Sequence, residues 1–395
     1  MTGALLPLPE RARLLHIGAM KSGTTALQRA ARIRRKALLR HGVRYPGSGP
    51  NHFAEVCAFM RLRKDGTVPP LETWQRLMAE VETDDARRIL ISHEWICEAD
   101  DAMAQRFIDA VGERTQVAIS LRPLTGMVGS YWQQLVKNGV ATLPLEKWLT
   151  KALAVTPGTR RASRWDRQCD QAGIVERWER LLGADRVTVI VADKGNPDLL
   201  FSSFEQLLGL PAGFLEGSGS DGSAANRSLS APEAELFRRL NVVFKQSNAP
   251  FTEYAGPARH DALRRVLQAD LGRSEPQIGL PDWAIERATR YGEEIAERLR
   301  QSKVTIVGDL AALHAPVAAR STGYPATFDT ISMDLAVEAI AGTVAGAYGR
   351  GAFFGRNPKA PQPIPQRRQL RDRVERLPLG PEMIRLWHRR MRSEE

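Results

Sequence analysis

Apolar and polar positions along this chain follow two rhythms. Short apolar runs at residues 13–18, 89–92, 116–121, 186–191 and 304–307 read as strands, the third carrying the alternation Val117, Ile119, Leu121. Between them apolar residues recur at helical spacing, as with Leu27, Ala30, Ile33, Ala37 and Leu38 in a helix expected over residues 24–40. Strands alternating with helices imply right-handed crossovers, and so an α/β sandwich of three layers with a mainly parallel central sheet flanked by helices. Such a sheet binds its ligands at the carboxyl ends of its strands.

The rhythm changes twice. Residues 215–223, rich in Gly and Ser, read as a mobile loop that could act as a lid. After residue 312 the composition turns to Ala, Pro and Gly, with Pro358, Pro361, Pro363 and Pro365 ahead of a basic end. The expected division is a catalytic domain over residues 1–312 and an extension over 313–395.

Composition narrows the class. Of 395 residues, 43% are hydrophobic and 26% charged, an ordinary balance for a globular protein. Residues 331–348 are apolar but interrupted by Asp334 and Glu338, and no other run suits a bilayer span. Glu10, Arg11 and Arg13 lie too close behind the apolar start for a secretion signal. Cys57, Cys97 and Cys169 are scattered, without metal-ligand spacing, which fits a reducing compartment. A cytoplasmic protein is the expectation. The net charge of +11 is uneven: residues 356–395 hold eleven Lys or Arg against five Asp or Glu. Arg29, Arg32, Arg34, Arg35, Lys36, Arg40 and Arg44 form a second basic run, read as a solvated helix face or as a surface for an anion.

The chemistry concentrates in residues 14–28, LLHIGAMKSGTTALQ, where an apolar strand meets a turn bearing Gly18 and Gly23 and then a helix. Unpaired amides at a helix start, at the positive end of its dipole, suit an anion; Lys21 adds a charge, and Thr24 and Thr25 add hydroxyls. This is the pattern of a phosphate loop, and the fold class sharpens to P-loop type. In nucleotide hydrolases the lysine follows the second glycine and a Ser or Thr then holds magnesium, whereas Lys21 precedes Gly23. That order argues against ATP chemistry.

The same residues resemble the sulfotransferases that use 3'-phosphoadenosine-5'-phosphosulfate, PAPS, in their bacterial, carbohydrate-sulfotransferase-like branch. The first motif of that family has the form P-K-[ST]-G-T-T, matched by Lys21, Ser22, Gly23, Thr24 and Thr25, with Met20 in place of the proline. The resemblance implies that this loop wraps the 5'-phosphosulfate and that Lys21 steadies the departing oxygen. A second stretch, residues 116–139, is similar to the family's 3'-phosphate site: Arg122 at a strand end and Ser130 eight positions on. A guanidinium fork and a hydroxyl suit a terminal phosphate. A third, Ser92-His93-Glu94-Trp95, resembles the Ser-x-Glu that many members carry at a strand end, which implies Glu94 as the base that takes the acceptor's proton, with His93 as runner-up. A helix-capping role for Glu94 is the plain reading.

Weaker matches surround these. Residues 225–228 look like a segment closing near the cofactor in bacterial members, although capping of the next helix by Ser228 or Ser230 is the preferred reading. His52 suits an acceptor pocket or the surface, and Trp132, Trp165 and Trp178 suit the core. The implied reaction moves a sulfuryl group from PAPS, with no metal, to a hydroxyl or amine of a small-molecule, carbohydrate or glycolipid acceptor. Two other classes stay open: a P-loop nucleotide kinase, and a basic module binding nucleic acid or anionic lipid. The first reading expects no nucleic acid partner, and the basic tail leaves a peripheral membrane contact open.

Overall fold

The structure, a computed structural model, describes residues 5–19, 22–63, 67–83, 85–154, 163–192, 195–216, 227–247, 257–273, 275–315, 328 and 330–348. Lys21, the Gly/Ser stretch from residue 217 onward, Ala225, Asn226 and the basic tail over 356–395 lie outside them.

Six strands, β1 Ala12–Gly18, β2 Val43–Arg44, β3 Arg88–Ser92, β4 Thr115–Leu121, β5 Val187–Val191 and β6 Thr305–Val307, form one sheet in the order β2-β3-β1-β4-β5-β6. Every pairing is parallel. The five expected strands are present to within a residue or so at each end. The pattern does not announce β2, because two residues are too few to show a period.

Both sheet faces are covered, which is why the inner strands are apolar nearly throughout; β5, Val-Thr-Val-Ile-Val, is buried along its length. On one face Leu14, Leu90, Ala118 and Ile190 pack with Leu27, Ala31, Leu200 and Phe204, from helices Thr24–Ile33 and Leu199–Leu208. On the other, Leu15, Ile17, Ile91, Val117, Ile119 and Val189 meet Phe107, Met127, Trp178 and Ile295 from four further helices. Trp132, Trp165 and Trp178 all belong to this second core.

The helix expected over 24–40 is two helices, Thr24–Ile33 and Arg35–Arg40. The stripe Leu27, Ala31 and Leu38 is buried, and its helical repeat lands on Arg34. The two helices meet at Arg34, through which the i→i−4 bonds continue, its N–H donating to the Ala30 carbonyl at 3.0 Å and its carbonyl accepting the Leu38 N–H at 2.8 Å. Arg34 Nη2 donates to the Glu216 carbonyl at 2.8 Å, and Ile33 is left 54% exposed.

By internal contacts the chain divides into Met1–Ala347 and Tyr348–Glu395. The first unit runs past residue 312, since helix Met333–Tyr348 buries Leu335 and pairs Glu338 with Arg265 at 2.7 Å. No described helix is long and apolar enough to cross a membrane.

Candidate active site

The strand order makes β1 the switch point: the chain leaves it for β2 and β3 on one side and reaches β4 on the other. The three predicted motifs therefore start from the carboxyl ends of three neighbouring strands, β3, β1 and β4.

At β1, Gly18 ends the strand and Gly23, with φ of 91°, caps helix Thr24–Ile33. A Cβ on Gly18 would run into Thr24 Oγ1 and lie 2.9 Å from Ser22 Oγ and 3.0 Å from Ser120 Oγ. Three hydroxyls thus converge where only hydrogen is tolerated. At Gly23 a Cβ would sit 2.6 Å from Leu200 Cδ2, and its left-handed backbone also favours glycine. The Thr24 and Thr25 amides lie in the first turn, where a helix offers its own amides no acceptor. Ser22 and Thr24 are buried, and Thr25 is exposed.

At β4, the Arg122 guanidinium folds over the first turn of helix Leu124–Lys137, where a Cβ on Gly126 would collide with Nη2 and lie 3.3 Å from Cζ. Ser130 Oγ donates to the Gly126 carbonyl at 3.1 Å, so the two residues of the second motif meet at one glycine. Burial pushes the Arg122 guanidinium below its ordinary value. Its backbone is clamped from outside the motif: Arg122 N–H donates to Gln171 Oε1 at 3.1 Å, and Gln171 Nε2 donates to the Arg122 carbonyl at 2.8 Å.

At β3, His93 and Glu94 take different positions. His93 Nδ1 accepts the Trp95 amide at 3.1 Å and caps the 3-10 helix Glu94–Glu98, the role expected as the alternative for Glu94. The ring is buried, stacks on Phe53 at 5.0 Å, and is held below the ordinary histidine range by burial, with Glu94 acting the other way. Neutral His93 therefore carries its proton on Nε2, 3.8 Å from Glu94 Oε2. The Glu94 side chain is 25% exposed, and Gln28 Nε2 approaches its Oε2 at 3.4 Å.

Beneath the loop lies a set of polar groups that motif reading passes over. His16, wholly buried, lies between Ser92 Oγ at 2.8 Å and Ser120 Oγ at 3.1 Å. Burial, helped by His93, lowers its pKa to about 3. His52 is buried rather than at the surface: Nδ1 accepts the Ser92 amide at 3.1 Å and Nε2 donates to the Pro46 carbonyl at 3.1 Å. Its burial lowers its pKa to about 4. A signal for these existed in the polar residues of otherwise apolar strands, His16 in LLHIG and the terminal serine of RILIS.

Elsewhere, Ser230 caps helix Ala231–Gln246 through a capping box with Glu233. Arg227 forks onto Glu233 at 2.7 and 2.6 Å, which employs its guanidinium structurally. Arg35 donates to the Tyr45 and Gly49 carbonyls and Arg44 pairs with Glu80, so part of the basic run is spent on packing. The three cysteines are buried and form no disulfide. Among the described residues no group of three or more His, Cys, Asp or Glu could hold a metal ion.

No family model matches the chain, and no curated protein matches it in sequence. It is similar to the crystal structure of a sulfotransferase from Alicyclobacillus acidocaldarius, at 18% identity and a TM-score of 0.39, over 64% of this chain and 95% of that one.

Proposed function

We propose that this protein is a sulfotransferase that moves a sulfuryl group from PAPS to a hydroxyl or amine of an acceptor and releases 3',5'-ADP. The observation that carries the reading is the convergence of loop, arginine and carboxylate at the ends of adjacent parallel strands β1, β4 and β3. The residues suit the donor: the first turn of helix Thr24–Ile33 and the hydroxyls of Ser22 and Thr24 stand together at the carboxyl end of β1, where an anion meets helix amides and hydroxyl donors. When bound, PAPS supplies the sulfuryl group on a phosphate leaving group.

The rest falls to the chain. The Thr24 and Thr25 amides and the Ser22 and Thr24 hydroxyls bind the 5' end. Lys21, outside the described residues, takes the role its motif implies, a cation beside the departing oxygen. Arg122 and Ser130 hold the 3'-phosphate, with Ser130 turning its hydroxyl from the Gly126 carbonyl to do so. Glu94 accepts the acceptor's proton. It is the better base because its carboxylate is partly open, whereas His93 uses its free lone pair on the Trp95 amide. As in phosphoryl transfer, positioning and electrostatics supply most of the catalysis.

Calorimetry tests the reading: 3',5'-ADP should bind without metal, and ATP should bind weakly whether or not magnesium is present. Tight binding of ATP only with magnesium would turn the assignment to a kinase. Binding of nucleic acid or anionic vesicles that falls steeply with salt, with no 3',5'-ADP binding, would turn it to a basic module. Transfer of labelled sulfate from PAPS to a component of a cell extract would then identify the acceptor. Lys21→Ala should lower that transfer about 10²-fold or more.

A further inference from the structure

The polar groups beneath the loop form one hydrogen-bonded line, and its direction follows from its ends. The Phe53 amide can only donate, and it donates to Asn51 Oδ1 at 3.1 Å. Asn51 therefore offers Nδ2 to Gln28 Oε1 at 3.2 Å. Gln28 in turn offers Nε2 to the Ser92 carbonyl at 3.2 Å, which can only accept, and to Ser92 Oγ at 3.3 Å. Both amide orientations are thus set by backbone groups of fixed character.

From there the line runs through hydroxyls. Ser92 Oγ has two partners among the described residues, Gln28 Nε2, which only donates, and His16 Nδ1, so its proton goes to His16. Neutral His16 has one donor and one acceptor nitrogen, which leaves Nε2–H to donate to Ser120 Oγ at 3.1 Å. Ser120 then gives its proton to Ser22 Oγ at 2.7 Å. Ser22 Oγ, accepting from Ser120, is left to direct its own proton elsewhere, and among the described residues the acceptor within reach is Thr24 Oγ1 at 3.4 Å, in the first turn of the helix. The opposite tautomer would leave the Ser92 proton buried without an acceptor, a cost comparable to a lost hydrogen bond.

We propose that His16 is a positioning residue of the loop, set between Ser92 and Ser120 so that the Ser22 hydroxyl is held as a donor toward the anion the loop binds. The proposal rests on the sulfotransferase reading for the identity of that anion. His16 touches no substrate and transfers no proton. Its effect is to remove the choice the Ser22 hydroxyl would otherwise have between donating and accepting, a form of preorganisation.

The test combines nitrogen NMR of the histidine-labelled full chain with calorimetry of 3',5'-ADP. His16, assigned by its absence from His16→Phe, should show a neutral ring protonated on Nε2. His16→Phe should weaken 3',5'-ADP roughly tenfold, as for loss of one hydrogen bond to a charged group, and the loss should vanish when Ser22→Ala is already present. Ser120→Ala breaks the next link with a smaller change and should show the same dependence on Ser22, which covers the case of His16→Phe failing to fold. A ring protonated on Nδ1, or losses that persist at full size in the Ser22→Ala background, would overturn the relay while leaving the sulfotransferase reading intact. If the wild type itself does not bind 3',5'-ADP, both fall together.

Discussion

At the scale of residues, Glu94 and His93 illustrate how neighbours with similar chemistry are given different work. His93 Nδ1 is committed to a backbone amide and its ring is buried, while the Glu94 carboxylate keeps a quarter of its surface open. Glu94→Gln keeps the shape but cannot take a proton, so turnover should fall about 10²-fold with little change in 3',5'-ADP affinity. If the rate survives and that of His93→Ala does not, the base is His93. Arg122 has a separate signature. Arg122→Ala should weaken 3',5'-ADP by roughly tenfold to a hundredfold and leave 5'-AMP, which lacks the 3'-phosphate, nearly unaffected; equal losses for both would remove it from that phosphate. Gly18 leaves no such gradation, because even one methyl group meets three hydroxyls.

At the scale of elements, helix Leu124–Lys137 is aimed by Gln171, which satisfies the Arg122 N–H and carbonyl from a neighbouring helix. Gln171→Leu removes both of these hydrogen bonds from a half-buried place. Stability should drop by about 1–3 kcal/mol in urea unfolding, and 3',5'-ADP affinity should fall although Gln171 does not contact it. Unchanged affinity would show that Arg122 holds its position without the clamp. The break at Arg34 belongs to the same scale, since a period read along residues 24–40 runs straight through it. The change of direction there involves neither Gly nor Pro, and the i→i−4 hydrogen bonds run on through Arg34.

For the whole molecule, His16 and His52 are buried and neutral, with pKa values lowered from 6.5 to about 3 and about 4. The unfolded chain takes up protons at both positions below about pH 6.5, and the native chain does so only near those lower values. Their contribution is therefore intact above pH 6.5 and is lost as the pH falls toward about 4 and then 3. At 1.36 kcal/mol per pKa unit each is worth on the order of a few kcal/mol. Urea midpoints measured across this window should fall steeply with acid, and His52→Gln should flatten the slope. A slope unchanged by that substitution would assign the acid sensitivity to other groups.

The strands and the loop were legible in the order of residues because each depends on local periodicity: apolar runs for β1, β3, β4, β5 and β6, and glycines flanking a lysine and hydroxyls for the turn. The α/β class followed from their alternation with helices. The tertiary structure alone decided which strand ends are neighbours, and so that Glu94 and Arg122 lie on either side of β1. It alone also joined Asn51, Gln28, Ser92, His16, Ser120 and Ser22, residues spread across the first third of the chain. Periodicity records which way a side chain faces, but a hydrogen bond depends on distance and angle between atoms far apart in sequence, and those exist only after the sheet has set its register.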